Sequence, residues 1–214
     1  MQLSTYFRSS AAWRVRIALA LKGVPAEAEF IHLLKDGGQQ KTAAFRRKNP
    51  MGVVPVIELD DGVLLTQSLA IIEYLEETHP TPALLPANPI ARAKVRAFAL
   101  AIACDIHPLN NLRVLQYLQN AMAQSDDSRN KWYHHWIAEG LSALEALLKG
   151  TGSGPFCFGS APGLADICLV PQMANARRYK CPLEAYPTLL RAEAAALALP
   201  AFSATAPEEQ PDAA

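Results

Sequence analysis

Ser9 and Ser10 stand just before a stretch with apolar side chains at Trp13, Ile17 and Leu21, four residues apart. That spacing is a helix face, and serine is a natural N-cap residue. Free backbone N–H groups and the helix dipole at that end favour an anion. With hydroxyl donors beside it, the anion can be a thiolate. A free thiol has a pKa near ~8.5, and lowering it by ~2 units takes ~2.7 kcal/mol, within reach of a helix end plus hydroxyls. A mere capping pair is the plainer reading. Gln67-Ser68 opens a second such stretch through Ile71, Ile72 and Leu75. It offers a second anion site, suited to a carboxylate, or an ordinary helix cap.

Arg8 adjoins the two serines, and Arg178 closes a helical stretch that begins near Leu164. The arginine fork binds carboxylates bidentately, so each is a candidate to hold a carboxylate, against the commoner fate of a solvated surface arginine. Arg177 beside it is assigned to the surface. His107 and Asn111 lie around Pro108, where a helix must lose one backbone bond and kink. Both are candidates for a pocket wall, with Arg113 a weaker third candidate for carboxylate binding; a structural histidine is the alternative for His107. His134-His135 are adjacent on a helix and do not face one way, which argues against a metal site. Asp166 stands three residues after Gly163, the N3 place of a helix start, and is assigned to folding.

These residues need elements to position them. Leu3 to Tyr6 reads as a strand and Ser9 onward as a helix ended by Gly23 and Pro25. Ala28 to Leu33 is a second strand. A Gly-containing loop from Lys35 to Gln40 and a short helix stopping at Asn49-Pro50 follow. Val53 to Leu59 and Val63 to Leu65 form a hairpin across Asp60-Asp61-Gly62, and the Gln67-Ser68 helix ends before His79-Pro80. The order β-α-β-α-β-β-α predicts a small α/β domain over residues 1–82. A proline-rich linker, 83–88, leads to an all-α region, 89–206. Its helices are predicted over Ile90 to about Asn120, Ser128 to Lys149, Leu164 to Arg178 and Pro187 to about Leu199, with a loop over 150–159. Residues 207–214 read as a flexible tail.

The chain has 214 residues, half of them hydrophobic, enough to bury two small cores. Its 20 acidic and 20 basic residues cancel, so nothing points to nucleic acid or an anionic membrane surface. An acidic substrate must be met by local arginines. Arg8, Arg14 and Arg16 break any signal-length apolar run, and no transmembrane run exists. Cys104, Cys157, Cys168 and Cys181 match no metal or CxxC spacing and read as reduced thiols of a cytoplasmic protein.

The segment Tyr6-Phe7-Arg8-Ser9-Ser10-Ala11-Ala12-Trp13-Arg14-Val15-Arg16-Ile17-Ala18-Leu19 resembles the signature of zeta-class glutathione transferases. So do Leu34 to Gln40, Asn49-Pro50-Met51, Val54-Pro55, Gln67 to Glu77, Leu169-Val170-Pro171-Gln172 and Asn175-Ala176-Arg177-Arg178, in order along nearly the whole chain. The family includes maleylacetoacetate and maleylpyruvate isomerases. The resemblance implies a thioredoxin-like domain followed by a helical domain that completes the substrate pocket, a homodimer, and glutathione as cofactor. Ser9 would contact the glutathione sulfur and Ser10 support it. Val54, before a cis Pro55, would pair with the cysteinyl backbone. Gln67 and Ser68 would take the γ-glutamyl carboxylate, and Gln40 the glycyl end or backbone. Ala11 stands where the family motif has a cysteine, and a hydroxyl donor needs no neighbouring thiol.

The activity so implied is cis–trans isomerisation of maleylacetoacetate, in aromatic amino-acid breakdown, by reversible thiolate addition to the C=C bond. Maleylpyruvate isomerisation, in gentisate breakdown, differs only in the substrate tail. A conjugating transferase or 2-haloacid dehalogenase would use the same thiolate. A glutathione-binding protein without turnover is the reading from another class. None of these needs a metal.

Overall fold

The computed structural model describes residues 1–150 and 154–213, and these divide into two compact units. The first comprises Met1–Leu84 together with the chain from Ala198 onward, and the second Leu85–Leu197.

The first unit is built on a four-stranded sheet. Strand β1 (Gln2–Thr5) leads into helix α1 (Ser10–Lys22), then strand β2 (Glu27–Phe30), helix α2 (Ala43–Lys48), strands β3 (Val56–Glu58) and β4 (Leu64–Thr66), and helix α3 (Ser68–Thr78). The spatial order is β2-β1-β3-β4, with β1 parallel to β2 and the other pairs antiparallel. A β-α-β crossover must give parallel neighbours and a tight hairpin antiparallel ones, so this topology follows from the element order. The ladder of β3 starts only at Val56, later than the apolar run from Val53 suggests, because Pro55 has no N–H to donate to it. The Val54–Pro55 bond is cis, and so is Thr81–Pro82. Helices α1 and α3 pack together, and Val15, Ile17, Ile71 and Leu75 are fully buried. The buried Lys22 ammonium donates to Glu76 at 2.6 Å and to the carbonyls of His79 and Pro82, while Glu76 accepts the Leu84 N–H. That cluster ties the chain after α3 back onto α1.

The second unit is helical. Helix α4 (Pro89–Leu100) runs into a π-helical turn at Ala101–Ile106, then α5 (His107–Asn110) and α6 (Leu112–Asn120). The single kinked helix expected over 90–120 is therefore split. Pro108 cannot donate to the preceding turn and its ring crowds the carbonyl four residues back, so the ladder widens there and breaks at extended Asn111. The Trp132 indole donates to the Leu109 carbonyl at 2.8 Å. Helices α7 (Asp126–Leu148), α8 (Leu164–Arg178) and α9 (Pro187–Leu197) complete the unit. Gly140 of α7 passes the π turn closely: a Cβ there would lie 2.4 Å from the Ile106 side chain. Of the loop expected over 150–159, residues 151–153 lie outside the described residues; beyond them Phe156 and Gly159 form an isolated bridge.

The flexible tail expected over 207–214 is corrected by the structure over 207–213, residue 214 lying outside the described residues. Helix α10 (Pro200–Ser203) packs against α1, and 3-10 turns follow at Pro207–Glu209 and Pro211–Ala213. Side-chain anchors hold this segment: the Trp13 indole donates to Thr205 Oγ1 at 3.1 Å, and Asp212 accepts the Phe7 N–H at 2.9 Å. These anchors put residues 198–213 with the first unit. The assignment of everything to residue 206 to the helical region was therefore too long. Among the described residues, no helix is long and apolar enough to cross a membrane.

Candidate active site

The turn from β1 to α1 is four residues long, Tyr6 to Ser9. Ser9 is the N-cap of α1, in extended conformation (φ −74°, ψ 111°), and its Oγ accepts the Ala12 N–H at 3.2 Å. The cap uses this oxygen as an acceptor, which leaves the O–H to donate outward. The first turn of α1 holds no acidic residue, so no side chain of that turn neutralises the positive end of its dipole. Ser10 is buried behind Ser9. Arg8 is exposed, its guanidinium 5.4 Å from the centre of the Phe7 ring.

Sheet register brings the other expected residues to the same edge. Ser4 pairs with Val56, and Val56 with Thr66. Tyr6 directly follows β1, Val54 stands two residues before β3 and Ser68 two residues after β4, at the strand ends that this register brings together, and Tyr6 and Val54 share one apolar cluster. Ser9 is tied to this edge by its N–H, which donates to the Tyr6 carbonyl at 2.9 Å. At the start of α3, Gln67 has φ 70° and ψ 117°, a conformation that costs a side-chain-bearing residue about 1–3 kcal/mol. Ser68 follows it, buried, and its Oγ lies 3.4 Å from Nη1 of Arg14, a side chain only 1% exposed. The first turn of α3 is also free of acid. A buried cation thus backs a helix start, a combination that suits a carboxylate.

Gln40 sits at the same end of the sheet, past β2. Its Nε2 donates to the Leu33 carbonyl at 3.1 Å, and its Oε1 is buried with no hydrogen-bond partner. Gly38, at φ 102°, makes this packing possible: a Cβ there would lie 2.7 Å from the Gln40 amide. An orphaned amide oxygen and two acid-free helix starts fit a small peptide with a thiolate and a carboxylate. The residues present therefore suit glutathione.

The remaining candidates belong to the second unit. Arg178 ends α8, exposed, donating to Asn175 Oδ1 at 2.9 Å and lying 5.5 Å over the Tyr179 ring. Tyr179 stacks on buried Tyr133 with ring centres 3.7 Å apart. Burial pushes the Tyr133 phenol well up, and the Arg178 charge works against that rise. His107 opens α5, half-buried. Asn111 caps α6, its Oδ1 accepting the Val114 N–H at 3.2 Å, so its oxygen has a folding role and only its amide nitrogen is left to offer. Arg113 is exposed one residue into the same helix. Arg177, assigned to the surface, is half-exposed and forms a bidentate pair with buried Glu193.

His134 Nε2 contacts the Tyr179 carbonyl, while His135 lies edge-on to Trp136, so the two histidines serve separate neighbours. No His/Cys/Asp/Glu cluster among the described residues could hold a metal ion. Asp166 takes the folding role expected of it: it accepts the Gly163 and Cys157 N–H groups, both at 2.9 Å. Burial pushes the Cys157 thiol well above its ordinary pKa and Cys181 up to about 11, so neither is an ionised nucleophile near neutrality. The three residues that sequence reasoning left unassigned are Arg14, Arg16 and Asp212, all charged groups placed behind the candidate residues.

Residues 8–78 match the family model described as glutathione S-transferase, N-terminal domain, and residues 130–201 the one described as glutathione S-transferase, C-terminal domain. A Vibrio cholerae protein named probable maleylacetoacetate isomerase is 50% identical over 97% of this chain and 96% of its own. A solved holo structure of maleyl pyruvate isomerase, described as a bacterial glutathione S-transferase in zeta class, is 45% identical. It covers all of both chains with a TM-score of 0.96. A maleylacetoacetate isomerase from Methylobacterium extorquens AM1, solved with bound malonate and glutathione, is 40% identical, also over the full length of both chains, with a TM-score of 0.95.

Proposed function

This chain belongs to the glutathione S-transferase family, and from that premise we propose that it is a glutathione-dependent cis–trans isomerase acting on maleylacetoacetate. The observation that carries the reading is this end of the sheet, where the register brings together the end of β1 that leads into the Ser9 turn, the start of β3 that follows Val54 and Pro55, and the end of β4 that leads into Ser68. The name of the Vibrio relative supports maleylacetoacetate as the substrate. The likeness to the maleyl pyruvate isomerase structure makes maleylpyruvate the second reading, with the same chemistry on a shorter tail.

When bound, glutathione would supply a thiolate nucleophile for reversible addition to the cis C=C bond. The chain's own residues supply everything else. The Ser9 hydroxyl donates to the sulfur and the α1 N-terminus favours its negative charge, with Ser10 in support. The Val54 backbone would align the peptide, Gln40 would take its glycyl end or backbone, and Gln67 and Ser68, backed by Arg14, would hold its carboxylate. Arg8 and Arg178 pair with the substrate carboxylates, and His107, Asn111 and Arg113 contribute to its recognition. Negative charge that develops on the substrate oxygen is stabilised by these fixed cations. We further propose that the enzyme works as a homodimer in the cytoplasm.

The test is to incubate purified protein with each maleyl substrate, with and without glutathione, and resolve the products by chromatography. Trans product from maleylacetoacetate, formed only with glutathione and with the higher kcat/KM of the two substrates, is expected. A higher kcat/KM for maleylpyruvate would exchange the two readings, and no trans product from either would end both.

A further inference from the structure

Arg16 and Asp212 meet at the β1–α1 turn from opposite ends of the chain. Arg16, on α1, is buried, and burial lowers its pKa to about 10 against the opposing pull of the Asp212 charge, so it remains a cation at neutral pH. Its guanidinium spans the turn: Nη1 donates to Thr5 Oγ1 at 2.9 Å and to the Tyr6 carbonyl at 3.4 Å, and Nη2 to the Phe7 carbonyl at 3.1 Å. Its Nε donates to the Thr205 carbonyl at 3.2 Å. Asp212 Oδ2 accepts the Phe7 N–H at 2.9 Å, while its Oδ1 is buried without a hydrogen-bond partner. Both the N–H and the carbonyl of Phe7 are therefore held by charged groups, one residue before Arg8 and two before Ser9.

We propose that Asp212 is a positioning residue: with Arg16 it clasps the Phe7 peptide and so sets Arg8 and Ser9 for their work on carboxylate and thiolate. The inference rests on the glutathione-site reading above. Each bond fixes one side of the Phe7 peptide, so the turn loses a fixed point when either partner is removed. The turn is short, so a displacement of Phe7 passes directly to Ser9. Misplacement of a reacting group by about 1 Å can lower a rate by about a hundredfold.

The experiment compares Asp212→Ala, Asp212→Asn and a chain ended after Gln210 with the wild type. Two quantities are read: the pH at which bound glutathione ionises, by thiolate absorbance, and kcat and KM for the maleyl substrate. Asparagine keeps an oxygen that accepts the Phe7 N–H, so it should behave like wild type within about threefold in kcat. Alanine and the shortened chain should raise the pH of thiol ionisation by about one unit and lower kcat by roughly tenfold or more. Unchanged ionisation and kcat in both would overturn the proposal. So would an Asp212→Asn variant as impaired as Asp212→Ala, since the charge rather than the bond would then matter. Failure of Asp212→Ala to fold would also overturn it, because the contact would serve the fold and not the turn. The ionisation readout needs no maleyl substrate. A wild type that ionises glutathione but isomerises nothing would therefore defeat the functional reading alone and leave the clasp standing.

Discussion

Ser9 Oγ accepts the Ala12 N–H at 3.2 Å, so its own proton is left to donate to a bound thiolate. Ser9→Ala should raise the pKa of bound glutathione and slow turnover near neutral pH. Hydrogen bonds to charged groups are worth ~1.5–3 kcal/mol, which predicts a loss of roughly ten- to a hundredfold. A pH–kcat profile checks this: the defect should shrink at high pH, where the thiol ionises unaided, and a defect constant with pH would speak against the role. Arg8→Ala and Arg178→Ala should spare glutathione binding, measured by calorimetry, and raise KM for a dicarboxylate at least tenfold. A neutral electrophile should be affected little, since it offers no carboxylate to pair. Equal losses on both substrates would contradict carboxylate recognition. The Ser9 cap of α1 was legible because helix-cap chemistry is local, acting within three or four residues, whereas Gln67 opens α3 without a side-chain cap bond. Arg14, Arg16 and Asp212 were not. Their partners are far along the chain, Ser68 being 54 residues from Arg14 and Asp212 205 residues from Phe7, and no local pattern marks a charge that will be buried.

Among the elements, the start of α9 rests on a carboxylate from another helix. Glu145 of α7 is 3% exposed and accepts the Thr188 N–H at 3.1 Å and the Leu189 N–H at 3.0 Å. Burial pushes its carboxyl up, but the bonds from Thr188 and Leu189 and the Lys149 charge outweigh burial, and its pKa lies below the ordinary value. A carboxyl held below its unfolded value of ~4.3 contributes stability above that pH and loses it as pH falls through the folded value. Glu145→Gln should therefore lower stability by about 1–2 kcal/mol at pH 7, and the gap from wild type should close as the medium is acidified below ~4. Thermal melts followed by circular dichroism at several pH values test it; a gap that stays constant would assign the loss to packing. Cross-helix caps of this kind escape a sequence reading, as does the π turn at Ala101–Ile106. Pro108 announced a kink, but not that the turn before it would widen. By contrast, Asp166 was legible because it caps its own helix.

At the scale of the molecule, the change from strand–helix alternation to helices alone was written in the residue pattern, and the boundary between units falls between Leu84 and Leu85, inside the proline-rich stretch. The return of residues 198–213 to the first unit was not legible. Small and apolar residues there read as the continuation of a helical region, and only anchoring by Trp13, Arg16 and Phe7 sends them elsewhere. The homodimer we propose predicts a light-scattering mass of two chains at micromolar concentration, and a mass of one chain would overturn it. The central claim is that the whole enzyme uses glutathione as a recycled nucleophile, and stoichiometry tests it most directly. With maleylacetoacetate in large excess over glutathione, free thiol and trans product are followed together in one reaction. Complete conversion to the trans isomer while free thiol stays at its starting concentration is the predicted result. Thiol lost mole for mole with substrate, or conversion at the same rate without glutathione, would contradict it.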